Sequence, residues 1–160
     1  MRGNKKDERL YQTLLSYLSN EDRKRLLTLD AAIKMIEDTI YKQSGWWRTP
    51  RGYMLQDNFR NEDDPEFMEC DTYMIYRNEN GYYPRTDSKP FNEHFRERND
   101  KERAFFYKYQ ELLQQLHLLL SEKERLLSSE CTLKDEASLE DFTRIARHLG
   151  YIKEEKVPTK

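Results

Sequence analysis

The chain has 160 residues, with 28 basic and 30 acidic side chains and a net charge of −2. That length suits one domain burying roughly two-thirds of its unfolded surface, and the balance of charge excludes an overall basic field that would by itself select nucleic acid. Only Cys70 and Cys131 are available to pair, too few for a disulfide framework; they read as free thiols of an intracellular, cytoplasmic protein, with a single disulfide left open.

The opening MRGNKKDERL is positively charged but has no apolar stretch behind it, so it does not read as a signal peptide. No segment approaches the roughly 20 apolar residues of a membrane span, and a membrane partner is not expected. From Asp7 to Leu18, Leu10, Tyr11, Leu14, Leu15 and Leu18 follow helical spacing and predict a short amphipathic helix. Ser19-Asn20-Glu21-Asp22 supplies capping residues for a second helix over about 20–42, whose stripe is Leu26, Leu29, Ile33, Ile36 and Ile40.

The composition then changes. Between Leu55 and Leu112 there is no leucine, and the only valine of the chain is Val157. The segment 44–99 must build any core from Trp, Tyr, Phe, Met and Ile75, and four prolines (Pro50, Pro65, Pro84, Pro90) break any long helix there. Asp71 to Arg77, followed by Asn78-Glu79-Asn80-Gly81 and Tyr82-Tyr83, predicts a β-hairpin that Pro84 ends, and Gly52 to Leu55 is a second extended piece. On such a hairpin Tyr73, Tyr76, Tyr82 and Tyr83 divide between two faces.

A long helix is predicted over about 100–129. Phe105, Tyr109, Leu112, Leu116, Leu119 and Leu126 repeat every seven residues with an interruption at Lys123, and Phe106, Leu113, Leu120 and Leu127 widen the stripe. Such a helix offers a surface for homo-oligomerisation. The last helix, about 138–149, has Ser138 and Asp141 as a capping box, a stripe of Leu139, Phe142, Ile145 and Leu149, and Gly150 in the C′ position. The expected fold is thus mainly α: one domain over 1–160, a bundle of about four helices with a central aromatic-rich insertion, part hairpin and part irregular.

Trp46, Trp47, Arg48, Arg51 and Tyr53, joined by Tyr76, Tyr82 and Tyr83 of the hairpin, are the candidate partner-binding residues, because Trp, Tyr and Arg are the side chains that anchor protein interfaces. The competing view makes the same aromatics core substitutes for the missing leucines. A second functional reading stacks Trp46 and Trp47 on nucleic-acid bases while Arg48, Arg51, Arg96, Arg98, Lys101 and Arg103 meet phosphates. A third is a metal-dependent hydrolase on Asp71 with Asp87 and Lys89, although these last two lie between prolines rather than along a strand.

The acidic run Glu62-Asp63-Asp64-Pro65-Glu66 lacks the spacing of a calcium loop and reads as solvated. His94, His117 and His148 have no ligand partners at zinc spacing, and no phosphate-binding glycine motif occurs. No metal or cofactor is expected. The reading that follows is a non-enzymatic interaction protein, a small regulator or inhibitor of a larger protein complex, of the kind carried by mobile elements.

Overall fold

The computed structural model describes residues 5–60, 68–85 and 93–152. Among them are five α-helices and four strands: α1 (Lys5–Tyr17), α2 (Asn20–Ser44), β1 (Trp47–Thr49), β2 (Gly52–Arg60), β3 (Met68–Asn78), β4 (Gly81–Pro84), α3 (Glu93–Lys108), α4 (Gln110–Arg125) and α5 (Leu139–His148). The chain is therefore mainly helical, with the four strands between Trp47 and Pro84. It divides into two compact units, one of residues 34–117 and one of residues 2–33 with 118–160.

The second unit is the leucine-rich one. Leu14, Leu15 and Leu18 from the first helix region, Leu26 and Leu29 from α2, Leu126 and Leu127 after α4, and Phe142, Ile145 and Ala146 from α5 form a single buried cluster. Ser19 begins α2 as expected, its Oγ accepting from the Asp22 N–H at 3.3 Å and its carbonyl from Arg23 at 2.9 Å. A single antiparallel bridge joins Leu18 to Leu133, flanked by Ser19 N–H to Thr132 O and Lys134 N–H to Tyr17 O, both 2.8 Å.

Helix α5 departs from expectation at its start: Ser138 makes no side-chain capping bond, and the chain enters through a 3₁₀ turn, Glu136–Ser138, capped by Asp135. Its end matches. Gly150 adopts φ +87°, while Gly150 N–H reaches Arg147 O at 3.1 Å and Tyr151 N–H reaches Ala146 O at 2.9 Å, the paired bonds of a Schellman motif.

One polar cluster ties this unit together. Lys123 Nζ lies 2.7 Å from Asp30 Oδ1 and faces the rings of Tyr11 at 4.7 Å and Tyr151 at 5.4 Å, while the Tyr11 hydroxyl donates to Asp30 Oδ2. The lysine side chain is 13% exposed, so its charge is held by the carboxylate and two ring faces more than by water. Lys123→Met should lower stability by about 1–2 kcal/mol, and by less in an Asp30→Asn background. A double-mutant cycle in denaturant measures that coupling, and additive losses would show that the ammonium and the carboxylate act independently.

The sequence predicts one helix over 100–129; the structure has α3 from Glu93, a break at Tyr109, then α4. The break is slight, because Tyr109 N–H still reaches Phe105 O at 3.1 Å and Leu113 N–H reaches Tyr109 O at 2.8 Å. After Arg125 the chain widens into a π turn, Leu126–Glu130, where two consecutive leucines, Leu126 and Leu127, are both fully buried. The stripe expected to mediate self-association is largely used within the chain: Phe105, Tyr109, Leu113, Leu116 and Leu120 are all buried.

Candidate functional site

The first unit carries the residues expected to bind a partner, on a four-stranded antiparallel meander in the order β1-β2-β3-β4. Its β1–β2 and β3–β4 connections are tight turns. In Thr49-Pro50-Arg51-Gly52 the Thr49 hydroxyl accepts from the N–H groups of Arg51 at 3.3 Å and Gly52 at 3.2 Å, and proline presets the turn's φ. In Asn78-Glu79-Asn80-Gly81 the Asn78 side chain accepts from Asn80 N–H at 2.8 Å. Gly52 is paired with Tyr76, and a Cβ there would lie 2.0 Å from Ile75 O, so no other residue fits that crossing.

Residues paired across an antiparallel sheet share a face, and neighbours along a strand alternate. The register joins Arg48, Tyr53, Ile75 and Pro84 in one row and Arg77 with Tyr82 in the next. This is the inner face: Tyr53 and Ile75 are fully buried and Tyr82 nearly so. Helix α3 packs against β3 and β4. The Phe105 ring lies 6.0 Å from Tyr53, and Tyr53 meets Tyr82 edge-on at 5.9 Å. The opposite face carries Trp47, Met54 and Met74 in one row and Thr49, Gly52, Tyr76 and Tyr83 around the next. Of these, Trp47, Met54, Met74 and Tyr76 are half-buried and Tyr83 is exposed.

The candidate residues therefore separate. Trp46 is 3% exposed and stacks on Phe105 at 3.9 Å with an interplanar angle of 7°; it is a core residue, as is Tyr53, whose hydroxyl burial and the nearby Glu37 carboxylate hold above its ordinary pKa. Tyr82 also faces inward. Arg48 sits in the inner row and donates from Nε to Glu37 of α2; burial opposes its charge, yet Glu37 more than offsets this and raises the guanidinium's pKa. These four contribute to the first unit's interior and its ion pair, not to the outer face of the sheet.

Trp47, Tyr76 and Tyr83 remain on the outer face. The Tyr76 and Tyr83 rings are 6.1 Å apart, and the Arg85 guanidinium lies 5.7 Å from the Tyr76 ring. Arg51 is exposed at the β1–β2 turn. The sequence reading missed Met54 and Met74, which complete this face; their signal was the two-residue step from Gly52 and from Tyr76.

It also missed Glu102. This α3 side chain is fully buried, and its Oε2 accepts from the Met74 N–H at 2.7 Å and from Arg85 at 3.0 Å. Strand β4 pairs with β3 only as far as Ile75–Pro84, so the carboxylate takes the place of a continuing strand at the next outward amide. Burial raises its pKa above the ordinary value, against the opposing effects of the Met74 amide, Arg85 and Arg98.

Among the described residues no group of His, Cys, Asp and Glu could hold a metal ion, and no helix is long and apolar enough to cross a membrane. His117 accepts from Arg77 Nε at 3.0 Å, and His148 lies 3.4 Å from Asp7. Cys131 carries a free thiol whose pKa burial and Asp22 push up. The acidic run 62–66, Asp87 and Lys89 lie outside the described residues, as do the side chains of Cys70, Asp71 and His94. In comparison with known proteins, no family model, no curated protein and no solved structure matches the chain.

Proposed function

We propose that the chain is a non-enzymatic interaction protein in which the helices form the scaffold, as a bundle, and the outer face of the sheet binds a protein partner. One observation carries this: from Trp47 to Gln56 and from Thr72 to Tyr83, no residue in an outer-face position is charged. Trp47, Met54, Met74, Tyr76 and Tyr83 stand there with Thr49, Gln56, Thr72 and Asn78. Aromatic and methionine enrichment with charge depleted from the centre is the composition of an interface core, and methionine repacks against irregular surfaces. Arg51, exposed beside this patch, belongs to its rim.

A nucleic-acid partner is the weaker reading. Phosphate binding draws on Lys and Arg, yet of the cations that reading uses Arg48 is tied to Glu37 and Arg103 to Asp100, and only Arg51 borders the outer face, whose own positions from Trp47 to Gln56 and from Thr72 to Tyr83 hold no charge. A small regulator or inhibitor of a larger complex remains the reading for biological role, and a metal-dependent hydrolase has no support among the described residues.

The test has two stages. Capture of partners from native lysate, with and without nuclease, is expected to give a complex that survives nuclease. Trp47→Ala and Tyr83→Ala should then each weaken the purified complex by about 2 kcal/mol, roughly 30-fold, with the melting transition little changed for Tyr83→Ala. Unchanged affinity in both variants, or a complex lost on nuclease treatment, would refute the proposal.

A further inference from the structure

A groove of about 480 Å³ opens beside β4, within the first unit, at the point where α3 passes into α4. Its floor is apolar: Tyr82, Phe106 and Leu113, of which Tyr82 and Leu113 are buried. Its rim is polar, made by Gln110, Gln114 and Gln115 with Glu111. The helical path explains this arrangement. Phe106, Gln110, Leu113 and Gln114 are spaced i, i+4, i+7 and i+8, one continuous face, and the slight break at Tyr109 leaves its helical bonds in place. Glu111 and Gln115 form the adjoining row. From the sheet, Tyr82 of β4 lines the groove, and its neighbour Gly81, at φ +128°, lies beside Gln114, an added Cβ meeting Oε1 at a contact distance of 3.5 Å.

The volume falls within the range of roughly 300–1,000 Å³ usual for small-molecule sites, and the lining has the composition of such sites, apolar residues with a few polar ones. The groups present restrict the ligand. A carboxamide offers an acceptor and a donor side by side, the complement of an amino-heterocycle edge, which is why glutamine reads adenine in pairs of hydrogen bonds. Phe106 and Tyr82 offer ring surface to a flat molecule. Neither lysine nor arginine lines the groove, so nothing there would neutralise a phosphate or carboxylate, whereas Glu111 favours an amino group or a cation.

We infer that this groove binds an uncharged or cationic nitrogen heterocycle of nucleobase size, its ring against Phe106 and Tyr82 and its hydrogen-bonding edge toward Gln110, Gln114 and Gln115. The site is separate from the outer sheet face and stands or falls independently of it.

The test uses the full chain, labelled with ¹⁵N, and four probes taken one at a time: adenine, hypoxanthine, cytosine and nicotinamide. At least one should produce saturable shifts in the side-chain amide signals of Gln110, Gln114 and Gln115. Gln114→Leu, an exposed position, should keep the fold and weaken that binding about tenfold, as losing a paired amide does. Phe106→Leu should weaken it as well. If none of the four probes gives a saturable shift up to its solubility, or if shifts persist unchanged in both variants, the inference is wrong.

Discussion

Trp46→Ala is expected to lower stability by about 3–5 kcal/mol, the range for truncating a buried large aromatic, whereas Trp47→Ala, one residue later, should lower it by only about 1–2 kcal/mol. Trp46 is 3% exposed and stacked face to face on Phe105, and the same ring is 6.0 Å from Tyr53 and 5.0 Å from Tyr109. Removing the indole therefore leaves a cavity against Phe105, a rigid ring that Tyr53 and Tyr109 flank and that collapses poorly into such a space. Trp47 lies on the other side of the sheet, half-buried and paired in register with Met54, where flexible methionines can close the gap. Denaturant titrations of the two variants under one condition measure the contrast. Equal losses, or a larger loss for Trp47→Ala, would mean that the two faces of the sheet are assigned the wrong way round.

That contrast also shows where a sequence stops being legible. The absence of leucine after Leu55 marks where the leucine-stripe helices stop but not where helix stops, since α3 (Glu93–Lys108) lies wholly within the leucine-free stretch; Asn-Gly spacing with flanking tyrosines places the β3–β4 hairpin within a few residues of its observed limits. The periodicities of α1, α2 and α5 are equally plain, since they are local. The roles of Trp46 and Trp47 are not. Alternation between faces starts only where strand pairing starts, and β1 is three residues long, preceded by a Gly45 with φ +80°; nothing local says which tryptophan is the first strand residue. Arg48 reads as a free cation until the register puts it on the inner face within reach of Glu37. Glu102 is the extreme case, because it stands among charged residues in KERAFFYK and looks solvated. What buries it is the end of β4 at Pro84, many residues distant in the chain, which leaves the Met74 amide to be satisfied.

Glu102→Ala should lower stability by about 3 kcal/mol at neutral pH. It removes one partner of a buried pair, for which losses of about 3–5 kcal/mol are usual, and Arg85, with its side chain 22% exposed, retains enough water contact to favour the lower end. The Met74 N–H and the Arg85 guanidinium would both lose the acceptor they share. Glu102→Gln keeps an oxygen that can accept from Met74 and serves as the neutral counterpart, and its comparison with the native chain should depend on pH. Burial holds the Glu102 pKa above its unfolded value, so the folded state binds this proton more tightly than the unfolded state does. The stability so contributed is full below the unfolded pKa and is lost as pH rises through the folded one. The glutamine variant has no such proton. Its stability relative to the native chain should therefore increase with pH across that interval, by at most about 1.4 kcal/mol per pH unit, and level off above the folded pKa. Denaturation midpoints of the native chain and Glu102→Gln from acidic to neutral pH give this difference directly. A difference that falls with pH would mean that Arg85 and Arg98 outweigh burial at this carboxylate, and one that stays flat would mean that Glu102 titrates alike in the folded and unfolded chains.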